Sequence, residues 1–78
     1  MKNPNAIGEV IKQTKKIEEN NWHNTQYLNS ISMLLTSNDL GTVKDEKLSQ
    51  KFNQLNNKME DINKLTEDLL SHLNSKHN

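Results

Sequence analysis

Between residues 48 and 73 an apolar side chain returns at alternating steps of four and three: Leu48, Phe52, Leu55, Met59, Ile62, Leu69 and Leu73, with Thr66 in the one gap. That spacing returns a side chain to one side of an α-helix every two turns, and it conflicts with the alternation a strand needs. A chain carrying such a stripe folds as a helix and buries the stripe against another surface. The flanking Leu65 and Leu70 widen the apolar face beyond a strict two-stranded seam.

The preceding half of the chain carries the same period. Ile7, Val10, Thr14, Ile17, Asn21, Asn24, Leu28, Ile31 and Leu35 fall on successive heptad seam positions, apolar at both ends and polar in the middle. Asn3 before Pro4 signals the start, since Asn caps helices well and Pro is tolerated at the first helical position. Gly8 costs on the order of 1 kcal/mol relative to Ala in a helix, which suggests fraying near the start or a close helix contact there. The stretch TSNDLGTVK, residues 36–44, interrupts the pattern, and Thr42 with Asp45 three residues on resembles a capping box. The sequence therefore predicts one domain over residues 1–78, with helices over about 4–36 and 43–74 and a loop over about 37–42. A loop that short makes the helices antiparallel neighbours.

A single hairpin of this composition is short of core. Only 31% of its 78 residues are hydrophobic, and there is no Cys to cross-link them or hold a thiolate metal site. A partner surface is the remaining source of stability. The fold expected is all-α, an antiparallel two-helix hairpin that dimerises into a four-helix bundle or coiled-coil assembly. In that fold Leu28, Ile31, Leu35, Leu48, Phe52, Leu55, Met59, Ile62, Leu69 and Leu73 form the intramolecular or oligomer seam, and Leu34 adds to the apolar margin.

Charge excludes other classes. Ten Lys balance ten Asp and Glu, interspersed in sign, and no Arg is present to fork onto guanine or phosphate. Lys12, Lys15 and Lys16 make only a small basic patch, so nucleic-acid binding by a dimeric hairpin ranks third among the readings. No apolar run reaches the roughly 18 residues of a membrane span, and no apolar signal-peptide segment opens the chain; a cytoplasmic protein is expected.

Catalytic equipment is not expected either. The pairs Glu18 and Glu19, Asp45 and Glu46, Glu60 and Asp61, and Glu67 and Asp68 are sequence neighbours, which on a helix point about 100° apart and share no site. His72 and His77 are five apart, the wrong spacing for two ligands on one helix face. Glu19 before His23 and Asp68 before His72 offer two ligands at most, fewer than a metal site requires. No cofactor or metal is expected.

Three further features bear on partners. Ile11, Trp22 and Met33 recur every eleven residues, close to three whole turns, and in a straight helix they line one ridge beside the seam. That ridge is either a second buried face in a bundle or a site anchored by Trp22 for a different protein, rimmed by His23, Gln26 and Tyr27. Asn21 and Asn24 interrupt the first helix's seam, either as buried polar residues that fix register or as a wet, loosely packed stretch. The function expected is a small non-catalytic protein-binding module, a regulator, adaptor or inhibitor of another protein that acts through helical packing. The alternative is a structural subunit of a larger phage, secretion or coiled-coil complex.

Overall fold

The computed structural model describes residues 4–37 and 45–77. They form two helices, α1 over Pro4–Thr36 and α2 over Glu46–His77, packed side by side in a rod 60 Å long and 16 by 13 Å across. The expected cap at Asn3, the expected loop beyond Ser37 and the expected cap at Thr42 lie outside the described residues.

Local chemistry explains the described ends. At the end of α1 the Thr36 hydroxyl donates to the Ser32 carbonyl at 3.0 Å and the Met33 carbonyl at 3.2 Å, and the Ser37 hydroxyl donates to the Leu34 carbonyl at 3.0 Å; the Met33 and Leu34 carbonyls are among those the last turn leaves open. At the start of α2 the Asp45 carboxylate accepts from the Leu48 amide at 3.0 Å, and its carbonyl accepts from the Ser49 amide at 3.1 Å. Asp45 is thus the N-cap, one of the strongest cap formers, and Glu46 adds negative charge to the first turn. The expected bounds of this helix are about 43 and 74; it is described from Glu46 to His77, and residues 43 and 44 lie outside the described residues.

The helices run antiparallel. Asn21 on α1 donates to Thr66 at 2.9 Å, and Thr25, one turn further on, accepts from Asn63, nearly one turn earlier on α2, at 3.3 Å. Beyond Ala6 near its start, the side chains withdrawn from water on α1 are Ile7, Ile11, Thr14, Glu18, Asn21, Thr25, Leu28, Ser32 and Leu35; on α2 they are Phe52, Asn56, Met59, Asn63, Thr66, Leu70 and Leu73. Both sets step by four and three. Ile11, Leu70 and Leu73 form a small core with Ile7 packed against it, while Leu28 and Met59 are buried toward the other end. Thr14, Asn21 and Thr66 occupy the buried middle, where the Thr14 and Thr66 hydroxyls also donate to the carbonyls of Val10 and Ile62, both at 2.7 Å. Among the described residues no buried side-chain polar atom lacks a partner.

Within the single hairpin, half of the residues expected in the intramolecular or oligomer seam are withdrawn from water. Leu28, Leu35, Phe52, Met59 and Leu73 enter it, but Ile31, Leu48, Leu55, Ile62 and Leu69 stay exposed, as do Val10, Ile17 and Asn24. Their next neighbours Ile11, Glu18, Thr25, Ser32, Asn56, Asn63 and Leu70 take the places instead. Each helix is turned about 50°, one heptad step, from the orientation that would hide all its apolar residues in a two-helix contact. The apolar face of each helix is wider than a two-helix seam, and the interhelical hydrogen bonds of Thr66 and Asn63 hold the turned arrangement.

Candidate protein-binding surface

The turn of both helices builds a two-sided hairpin. On α1 the column Val10, Ile17, Asn24 and Ile31 lies immediately beside the seam, and on α2 the equivalent column is Leu48, Leu55, Ile62 and Leu69. Two antiparallel helices facing one another bring equivalent flanking columns to the same side. The two columns therefore lie together, with Tyr27, Leu34 and Leu65 one position further round. Among the described residues, ten of the twelve exposed large apolar side chains belong to this face, from Val10 at 39% exposure to Leu65 at 68%.

The opposite face is polar. A cleft of about 600 Å³ opens there along the seam, lined by Lys15, Glu18, Glu19 and Trp22 of α1 and by Asn63 and Glu67 of α2. Its floor is Asn21, Thr25 and Thr66, the residues that bridge the helices. Glu67 is held above the usual carboxylate range. The hydrogen bond it makes to the Glu18 carboxylate is the main cause, followed by the charge of Glu18, loss of hydration and the charge of Asp68. Among the described residues, Lys15 is the one cation lining this cleft.

The residues of the eleven-step ridge are separated by this geometry. Ile11 is in the hairpin core; Trp22 is 60% exposed beside the cleft, and Met33 is exposed further round on the same side. Over 33 residues a column repeating every eleven drifts relative to a heptad seam, so the three never share one surface. His23 meets Trp22 edge-on, ring centroids 5.1 Å apart at 76°, and Gln26 is exposed on the Trp22 side, whereas Tyr27 belongs to the apolar face. The two Asn residues also part company. Asn21 is buried and paired, and Asn24 stands exposed in the middle of an apolar column.

The polar face offers an open cleft in which the Glu67 and Glu18 carboxyls are neighbours, and among the described residues lining it there is no Ser or Cys nucleophile. Among the described residues no three His, Asp or Glu side chains converge as a metal would require, and no helix is long and apolar enough to cross a membrane. The doubled apolar columns were foreshadowed by the adjacent pairs Val10 and Ile11, Leu34 and Leu35, and Leu69 and Leu70, where one residue of each pair has to face away from a narrow seam. The bridging roles of Thr25 and Asn63 had no such signal, because polar residues at seam positions read as gaps. No protein-family model, curated protein or solved structure matches this chain.

Proposed function

We propose that this chain is a small, non-catalytic protein-binding module of the cytoplasm, a regulator, adaptor or inhibitor, that works by packing its apolar face against other helices. The observation that carries the reading is the gathering of ten exposed apolar side chains on one side of the hairpin, opposite a polar cleft. Soluble monomers rarely expose so much contiguous apolar surface, and helix pairs rarely stop at two when each presents a face three columns wide. Closing that face with a second hairpin gives a homodimeric four-helix bundle, the form in which the module presents Trp22, His23 and Gln26 to a further partner on the side left free. The same face supports the alternative, a subunit of a larger helical assembly in which different chains close it. Nucleic-acid binding has little support, since Lys15 is set among Glu18, Glu19 and Glu67.

The paired substitution Leu55→Asp with Leu65→Asp tests the face directly. Both side chains are exposed in the single hairpin, so the variant is expected to remain helical by circular dichroism while losing association measured by light scattering. Association equal to that of the unsubstituted protein would mean that this face is not the binding surface.

A further inference from the structure

We infer that the helices covering the apolar face are those of a second copy of this chain, lying across a two-fold axis perpendicular to the helices, with Asn24 of each copy paired on that axis. The inference rests on the reading above that the face is a binding surface. Area is the first support. Ten side chains about half exposed amount to on the order of 900 Å² per protomer, close to the ~800 Å² each partner gives to a stable standard interface. A formal net charge of zero adds no repulsion between copies.

Register is the second support, and it is specific to self-association. The contacts of Asn21 with Thr66 and of Thr25 with Asn63 set Asn24 level with a point on α2 within about two residues of Ile62, an axial offset of about 2–3 Å. Asn24 is the centre of Ile17, Asn24 and Ile31; Ile62 is the centre of Leu55, Ile62 and Leu69. One axis at that level makes the two triplets match themselves, with Val10 and Leu48 lying one step outside them: Ile17 meets Ile31 and Leu55 meets Leu69 of the second copy, while Asn24 and Ile62 each meet their own equivalents.

Asn24 selects between the two ways of stacking identical hairpins. A two-fold axis along the helices lays α1 of one copy on α2 of the other and sets each Asn24 amide against an Ile62 side chain, leaving two amides in an apolar interface without partners. The perpendicular axis sets amide against amide, which satisfies both, and places the Thr36 and Glu46 ends of the two hairpins at opposite ends of the bundle. A single interfacial Asn fixing orientation in this way is a known device of helical assemblies.

Because the chain has no native Cys, cross-linking reads the arrangement directly. Light scattering of the intact chain is expected to give twice its 9.0 kDa mass. Under mild oxidation Asn24→Cys alone and Ile62→Cys alone are each expected to form inter-chain disulfides, at least tenfold faster than the outward-facing Lys16→Cys. Cross-linking only in a mixture of Asn24→Cys with Ile62→Cys would overturn the perpendicular axis and leave self-association standing. A monomeric mass at high protein concentration would overturn the second copy as occupant, while the protein-binding reading would still stand or fall on a different chain closing the face.

Discussion

Thr66 fixes where one helix stands against the other, because its hydroxyl accepts from Asn21 and donates to the Ile62 carbonyl of its own helix. Asn21→Ala removes the only side-chain bridge buried at both ends among the described residues, and it should destabilise the hairpin by about 1–2 kcal/mol in a thermal melt. Replacing Asn21 and Thr66 together with Leu is expected to restore or exceed the original stability, since two apolar groups of suitable size leave nothing unsatisfied. Glu67 supplies a second residue-level test. Its folded value lies above the ordinary 4.5, so the native state binds the proton more tightly than the unfolded chain. That contribution is present at pH below the ordinary value and is lost as pH rises through the folded one. Lys15, Glu18 and Glu19 face it across or along the cleft, with Asp68 beside it. Titrating from acid to neutral pH, the melting temperature of the natural sequence should fall relative to that of Glu67→Gln, whose amide can donate to Glu18 throughout. Parallel curves for the two proteins would exclude the Glu18 contact.

Both helices were legible from period alone, since steps of four and three over 30 residues admit little else. Their rotation was not. At Val10 and Ile11, or Leu69 and Leu70, either neighbour of an apolar pair satisfies the period, and the choice falls to partners that a sequence pattern leaves open. At Ile31 and Ser32, Leu55 and Asn56, and Ile62 and Asn63 the polar neighbour enters the seam, against the simplest rule of burial. The competing principle is width: a face spanning three heptad columns cannot be hidden by one antiparallel neighbour, so the hairpin takes two columns and leaves the third outward. At the start of α2 the Asp45 carboxylate meets the Leu48 amide, a role the period alone does not signal, and the expected cap at Thr42 lies outside the described residues. The rotation has a measurable consequence. Leu70→Ala, in the seam of a single hairpin, should cost about 2–4 kcal/mol at every protein concentration. Leu55→Ala, on the open face, should cost least in dilute solution and progressively more as concentration rises and the face becomes occupied.

At the scale of the molecule, the hairpin buries five large apolar side chains and exposes more than twice that number among the described residues. Five buried side chains at about 1.5–3 kcal/mol each are a small return for ordering two helices of 33 and 32 residues. Packing the open face against further helices roughly doubles the apolar surface withdrawn from water, and it leaves the Trp22 side accessible. Folding and association are then one linked process, in which the melting temperature depends on how much protein is present. The most direct measurement is therefore a series of thermal melts, followed by far-ultraviolet circular dichroism, across a hundredfold or greater range of chain concentration. The linkage of folding to association predicts a helical signal whose midpoint climbs steadily with concentration. A midpoint that stays fixed across the range, with full helicity at the lowest concentration, would contradict it.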